Sequence, residues 1–312
     1  MTKVFIDGSA GTTGLRIYER LENLGGIELI KLPEEKRKDP KARAEALNAA
    51  DFAFLCLPDD AAREAVSMIE NENTAVIDTS TAHRTAPGWT YGFPELSPEH
   101  FEAVKNAKRV AVPGCHASGF IALVYPLVKA GIVPADLCLS AFSLTGYSGG
   151  GKKMIADYAS DERSVLYDAP RQYAMAQKHK HLPEMTHVTG IKNAPAFCPV
   201  VGDFYSGMEV TVPLFASQIN GGMDEIRRVY SETYKGGLVS LTDCTDADGF
   251  ASAGAYSGRD DMELGVFGND ERILLVARYD NLGKGASGAA LQCLNIMRGS
   301  DMTAGLVTGD NK

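Results

Sequence analysis

The run Lys3-Val4-Phe5-Ile6-Asp7 leads straight into Gly8-Ser9-Ala10-Gly11-Thr12-Thr13-Gly14. Residues 15–24 follow, with Leu15, Tyr18, Leu21 and Leu24 at helical spacing. A strand, a glycine loop and a helix in that order make a βα unit, which belongs in a parallel sheet covered by helices. Glycine lets backbone amides come close to a pyrophosphate, and the helix N-terminus adds the positive end of its dipole. The seven loop residues are therefore candidate dinucleotide contacts. The spacing G-x-x-G-x-x-G differs from the commoner G-x-G-x-x-G, and a tight strand-to-helix turn is the alternative reading.

The alternation continues. Residues 27–32 form a second strand, 41–50 a helix, 52–57 an apolar strand of the kind buried on both faces, and 58–70 a helix with acids in its first turn. Residues 74–78 and 108–112 add strands. Beyond them the strands lengthen, at 137–144, 207–215, 237–242 and 273–279, with helices near 152–159 and 222–235. The expected architecture is α/β: a Rossmann-like parallel-sheet domain, then an α+β domain with a mixed or antiparallel sheet. The boundary falls near residue 115. The first domain is expected to take residues 1–115 and, through a returning small-residue helix at 285–297, about 285–312. The second takes about 116–284.

Composition narrows the function classes. The 312 residues carry a net charge of −9, which disfavours nucleic acid as a partner. The longest stretch without a charged residue, 110–128, contains Pro113, Gly114, Gly119 and Pro126. It reads as a strand, a turn and a buried helix rather than a membrane span. Val4-Phe5-Ile6 is far too short for a signal-peptide core, so a cytoplasmic location is expected. The six scattered cysteines fit free thiols in a reducing compartment. Cys56, Cys138, Cys244 and Cys293 sit among apolar neighbours and read as buried and structural, while Cys198, in a Pro-rich loop, is left open.

Four groups of residues could carry chemistry. Cys115, after Pro113-Gly114, stands between an apolar strand and an apolar helix, where a helix dipole lowers a thiol's pKa. Lys178-His179-Lys180-His181-Leu182-Pro183-Glu184 can supply a general base and an orienting carboxylate, or can be surface histidines before a helix; no further zinc ligands cluster there. Ser80 and Arg84 follow the strand that ends at Asp78, where α/β sheets bind ligands, and Arg84 could clamp a carboxylate or phosphate. Gly146-Tyr147-Ser148-Gly149-Gly150-Gly151-Lys152 could form an anion-binding nest. Either of the last two groups could be an ordinary turn. After the second strand, Lys36-Arg37-Lys38 suits a ribose 2′-phosphate and hence NADP, or is a solvated charge run.

One order unites these motifs: residues 8–14, Asp78-Thr79-Ser80 with Arg84, Gly92-Phe93-Pro94-Glu95, Pro113-Gly114-Cys115, residues 148–151, His179-x-His181-x-Pro183-Glu184 and Asp280-Asn281-Leu282-x-Lys284-Gly285. Together they resemble the N-acetyl-γ-glutamyl-phosphate reductases over nearly the whole chain. The likeness is to the shorter type, with Val112 before Pro-Gly-Cys and His116 after it. The resemblance implies NADPH-dependent reductive dephosphorylation of a small acyl phosphate in arginine biosynthesis. It implies Cys115 as nucleophile through a thioester, and His181 as acid/base with Glu184 orienting it; His179 is the second choice for that role. It further implies Arg84, Ser148 and Gly149 at the substrate, Asn281 and Lys284 at the nicotinamide end, and a dimer or tetramer. No metal and no membrane partner is implied. Aspartate-semialdehyde dehydrogenases usually carry Asn directly before their cysteine, where this chain has Gly114, whereas an aminoadipate-pathway reductase differs by its substrate's length and carrier. A non-catalytic NADP-binding sensor would need neither Cys115 nor the histidine run.

Overall fold

Strand and helix alternate through the first hundred residues of the computed structural model, which describes residues 1–309. The elements are β1 (Thr2–Asp7), α1 (Thr12–Glu22), β2 (Ile27–Ile30), α2 (Pro40–Ala49), β3 (Phe52–Leu55), α3 (Asp59–Ser67), β4 (Ala75–Asp78), β5 (Thr90–Tyr91), α4 (Pro98–Lys105) and β6 (Arg109–Ala111). Among the described residues the strands form a six-stranded sheet in the order β2-β1-β3-β4-β6-β5, parallel throughout. Ala53, Phe54 and Leu55 of β3 are fully buried, as a strand covered on both faces requires. Asp39 caps α2 by accepting from the Ala42 amide at 2.7 Å, and Pro40 stands at its first turn.

The inner face of α1 is Gly14, Ile17 and Leu21, whereas Leu15 is 46% exposed and turns outward. The spacing led by Leu15 is thus displaced by one residue. Gly14 seats the helix against the Gly8 carbonyl, and the buried stripe runs on from there.

The second unit follows with α5 (Cys115–Lys129), β7 (Ser140–Gly146), α6 (Gly151–Ala159), β8 (Arg171–Gln172), α7 (Leu182–Thr189), β9 (Ala196–Gly202), β10 (Met208–Phe215), α8 (Met223–Thr233), β11 (Val239–Leu241), β12 (Met262–Gly268) and β13 (Arg272–Tyr279). Its mixed sheet runs β11-β12-β13-β10-β7-β9-β8. The antiparallel β10/β13 ladder pairs Met208 with Tyr279 through to Phe215 with Arg272. Helix α5 is apolar nearly all round and buried along its length. Pro126 inside it has no N–H for the Ala122 carbonyl four residues back. The Tyr234 hydroxyl donates to that carbonyl at 2.6 Å, and the Tyr230 hydroxyl donates to the next, Leu123, at 2.6 Å.

The chain ends with a π-helical turn, Gly283–Ser287, and α9 (Gly288–Met297). Compact packing assigns Met1–Pro94, Pro98–Pro113 and Ala286–Leu306 to the first unit, and Glu95–Ser97, Gly114–Gly285 and the chain from Val307 to the second. Within the first unit, Cys293 and Ile296 of α9 pack with Val104 and Val110. The expected single helix over 285–297 opens as a π turn because the Gly283 and Gly285 amides both close onto the Asp280 carbonyl, at 3.1 and 3.0 Å.

Cys244 and Cys293 are buried. Burial pushes the thiols of Cys56 and Cys244 up to about 12, although Cys56 as a residue is only half-buried. Cys138 departs from expectation: it is exposed, on the loop before β7. Cys198 lies in β9, not in a loop; Pro199 beside it gave the strand the look of a turn.

Candidate active site

In the first unit the glycine loop is dictated by contact. Gly8 has φ +87°, and a Cβ there would lie 2.3 Å from the Cys56 carbonyl oxygen. A Cβ on Gly14 would lie 2.4 Å from the Gly8 oxygen. Gly11 donates its amide to Gly8 O at 3.0 Å, and α1 then starts at Thr12-Thr13 with no side-chain cap. The first amides of a helix are anion donors.

Gly8, Ser9 and Ala10 line a cavity of about 600 Å³ whose other walls include Lys31, Arg37 and Lys38. Arg43 also lines it, but its guanidinium is held by Asp7 Oδ2 at 3.0–3.1 Å and Glu64 Oε2 at 3.0 Å. Burial outweighs Arg43 and holds the Asp7 carboxyl above the ordinary range. Lys31 pairs with Glu22 at 3.0 Å. Among the described residues Arg37 and Lys38 make no ion pair, so they are the cations this cavity can offer an anion. Backbone amides on one side and these cations on another fit a phosphorylated dinucleotide.

Ser80 and Arg84 lie elsewhere in this unit. Ser80 Oγ donates to the fully buried Asp78 at 2.7 Å, and His83 Nδ1 lies 2.6 Å from the same carboxylate. The His83 ring stacks on Trp89 at 4.1 Å. The Arg84 guanidinium donates to the carbonyls of Val112 (2.9 Å) and Thr79 (3.1 Å), tying the ends of β4 and β6.

In the second unit Cys115 is the first residue of α5, with Gly114 as its extended N-cap. The thiol residue is half-buried. The Gly114 amide donates to Glu184 Oε2 at 3.1 Å, so this carboxylate grips the turn that presents the cysteine. The Tyr279 hydroxyl donates to the Cys115 carbonyl at 2.5 Å and accepts from the Gly119 amide at 3.0 Å. A Cβ on Gly285 would stand 3.0 Å from Cys115 Cβ, so the π turn passes directly over the cysteine.

His181 precedes α7 and is 4% exposed; His179 is half-buried. They are not surface histidines. Their ring centroids lie 4.6 Å apart, and His179 Nδ1 accepts from the His181 amide at 3.2 Å. Both rings pack against a third imidazole, His116, at 5.5 and 5.6 Å. His116 Nδ1 lies 2.7 Å from Ser143 Oγ and Nε2 lies 2.6 Å from the Tyr173 hydroxyl. Burial, then the charges of His179 and Lys180, pushes the His116 pKa down to about 3, so this ring is neutral. Burial and the nearby Cys115 raise the Tyr173 phenol well above its ordinary value.

Ser148 Oγ accepts from Asn281 Nδ2 at 3.0 Å, and Asn281 Oδ1 accepts from the Gly207 amide at 2.9 Å. Gly149 beside Ser148 is exposed. Lys284 Nζ lies 2.7 Å from Glu95 Oε1, with side chains 2% and 8% exposed. Asn281 and Lys284 thus both have partners inside this unit.

The second unit therefore gathers Cys115, His179, His181 and Glu184. It adds His116, Ser143, Tyr173 and Tyr279, for which no role was read in the sequence. His116 stood next to the cysteine, and that adjacency was the one available signal. Among the described residues no group of His, Cys, Asp and Glu is arranged to hold a metal ion, and no helix is long and apolar enough to cross a membrane.

Comparison with known proteins agrees with both units. The family model "Semialdehyde dehydrogenase, NAD binding domain" matches residues 3–104, and "Semialdehyde dehydrogenase, dimerisation domain" matches residues 115–281. Aspartate semialdehyde dehydrogenase II from Vibrio cholerae superposes with a TM-score of 0.71 at 16% identity, covering 96% of this chain and 98% of that one. The enzyme from Candida albicans with NADP gives 0.64 at 15%, over 96% and 98%. These likenesses establish the fold. N-acetyl-γ-glutamyl-phosphate reductase 2 of Nostoc sp. is 45% identical over 97% of this chain and 99% of its own length. The reductase of Chelativorans sp. is 47% identical over 95% and 97%. With a glycine loop that fits a dinucleotide, a cysteine at a helix start and matches over almost its whole length, the chain belongs to the N-acetyl-γ-glutamyl-phosphate reductase family.

Proposed function

We propose that this protein reduces N-acetyl-γ-glutamyl phosphate to N-acetylglutamate 5-semialdehyde and phosphate in arginine biosynthesis, using NADPH. The observation that carries the reading is Cys115 at the start of α5 with the His179–His181 pair packed on its neighbour His116. The α5 dipole favours an anion at its first residue. The Cys115 sulfur attacks the acyl carbon, the bond from that carbon to the phosphate oxygen breaks, and phosphate leaves with the electron pair. A thioester remains. When bound, the reduced nicotinamide supplies the hydride that reduces it. His181 gives a proton to the oxygen as negative charge develops there and takes it back as the C–S bond breaks, releasing aldehyde and thiolate. Glu184 holds the turn before Cys115 through the Gly114 amide.

The remaining assignments are those that the family resemblance implies. Arg37 with Lys38 reads the ribose 2′-phosphate and favours NADP over NAD. The amides and side chains of residues 8–14 take the pyrophosphate, and Ser80 borders the cofactor. Ser148 with Gly149 is assigned to the substrate's anionic groups; the resemblance puts Arg84 there too, although its guanidinium also donates to the Val112 and Thr79 carbonyls. Asn281 and Lys284 serve the nicotinamide end by shaping the wall beside Cys115. The first unit is the cofactor domain and the second the catalytic domain. A homo-oligomer formed through the second is expected from the dimerisation model it matches.

The test is the reverse reaction: N-acetylglutamate semialdehyde, NADP⁺ and phosphate, followed by NADPH absorbance. Turnover should need phosphate and vanish in Cys115→Ala. Turnover with aspartate semialdehyde instead would move the substrate. NADPH binding without turnover on any aldehyde would favour a sensor.

A further inference from the structure

The proposed reaction uses one imidazole, yet three share this pocket with a tyrosine, and two of the three unused groups, His116 and Tyr173, are hydrogen-bonded to each other. We infer that His116 and Tyr173 are positioning residues of the cysteine site, forming with Ser143 a fixed hydrogen-bonded chain that holds the rings of His179 and His181 in one arrangement. The inference rests on the cysteine–histidine reading above.

Both ring nitrogens of His116 are engaged, one by β7 through Ser143 and one by the segment after β8 through Tyr173. The ring therefore cannot turn about its axis without breaking two short contacts. It meets His179 edge-on, at 86°, and His181 at 52°. Phe197 closes the other side, 5.3 Å from His116 and 5.2 Å from His179. The His116 ring is thus a shared wall for both histidines.

The segment that carries Tyr173 and His179 is itself held in place. The Tyr173 amide donates to the Pro199 carbonyl at 3.0 Å. Ala174 and Gln177 both have φ +54°, a left-handed conformation that non-glycine residues adopt only where surroundings enforce it. The enforcement is visible: the Gln177 side chain brackets the Phe197 backbone, donating to its carbonyl at 2.7 Å and accepting from its amide at 2.8 Å. Strain concentrated between Tyr173 and His179 is what a preset spacing between these two rings requires.

Neutrality completes the argument. The titratable groups that touch or act on the His116 ring include Tyr173, His179, Lys180 and His181. A charged His116 would repel a proton from the other imidazoles, whereas a neutral one orients them without competing for it.

Tyr173→Phe removes one hydroxyl and keeps the ring. It should lower kcat about tenfold or more while KM stays within about twofold, because misplacing a reacting group costs rate rather than binding. The limb of the kcat/KM–pH profile set by the acid/base histidine should move by about half a pH unit or more, through the altered surroundings of that ring. Ser143→Ala, which cuts the chain at its other end, should shift both quantities in the same direction. Unchanged kcat and pH profile in both variants would overturn the inference. So would a loss of activity matched by a lower Tm and weaker NADPH binding, the mark of a merely structural role. Wild-type turnover run alongside separates the two claims: its absence sinks the proposed function, whereas its presence with fully active variants sinks this inference alone.

Discussion

His116 is held neutral at a cost that solution pH can read. Its pKa is pushed down to about 3 in the fold, against an ordinary value near 6.5. Between these values the unfolded chain takes up a proton that the folded chain refuses, so this group's contribution to stability is present above pH 6.5 and is lost as pH falls. We expect the wild type to lose stability relative to His116→Gln on going from pH 7 to pH 5, with the difference approaching about 1.4 kcal/mol per pH unit below 6.5. Urea unfolding of both proteins at several pH values measures it; parallel curves would show that the ring does not titrate as the geometry implies. The same residue shows what sequence could and could not disclose. Cys115 and His181 announce themselves through near neighbours: a Pro-Gly turn in one case, a proline and a glutamate in the other. Ser143 and Tyr173 reach His116 from 27 and 57 residues away, and no local pattern marks either as its partner.

Helix α5 is where packing and chemistry meet. Its first residue is the proposed nucleophile and its fifth is Gly119, against which β10 and β13 are pressed. A Cβ on Gly119 would lie 2.7 Å from the Tyr279 hydroxyl and 2.8 Å from Val210 Cγ2. Gly119→Ala must therefore displace Tyr279, the residue that donates to the Cys115 carbonyl. Overpacking of this kind costs about 1–3 kcal/mol, and kcat should fall while NADPH affinity, which we assign to the glycine-loop unit, holds. Denaturant midpoints with steady-state kinetics check both; an unchanged midpoint would refute the clash. Elements of this sort were legible where periodicity was strong. The parallel strands 52–55 and 75–78 and the long ladder 208–215 with 272–279 stand near their expected places. Thr90–Tyr91 is too short to leave a pattern. Ala196–Gly202 hides behind Pro199, and Met262–Gly268 behind glycines at 265 and 268.

At the scale of the whole molecule, a net charge of −9 gives no hint that one cavity is lined by two cations without an ion pair among the described residues, Arg37 and Lys38, next to Glu34 and Glu35. That property arises because β2 lies beside β1 in the sheet, which brings Arg37 and Lys38 to the cavity lined by Gly8 and Ser9. Arg43 is committed to Asp7 and Glu64, and Lys31 to Glu22, so the proposed discrimination between cofactors would fall on Arg37 and Lys38. A ligand that binds only the folded state stabilises it by RT ln(1 + [L]/Kd), about 2.7 kcal/mol at one hundred times Kd. For a chain of this size that is a rise in Tm of several degrees. At equal concentration NADPH should raise Tm more than NADH does. In the double variant Arg37→Ala/Lys38→Ala the NADPH shift should shrink to the NADH value while the NADH shift stays put, because the adenosine and pyrophosphate contacts survive. Both cations are exposed, so raising salt from 0.05 to about 0.5 M should narrow the same gap in the wild type by screening. Equal shifts from the two cofactors in the wild type would remove 2′-phosphate recognition from this cavity. A gap that outlasts both the double variant and high salt would move it to another cation, with Arg43 released from Asp7 the next to replace.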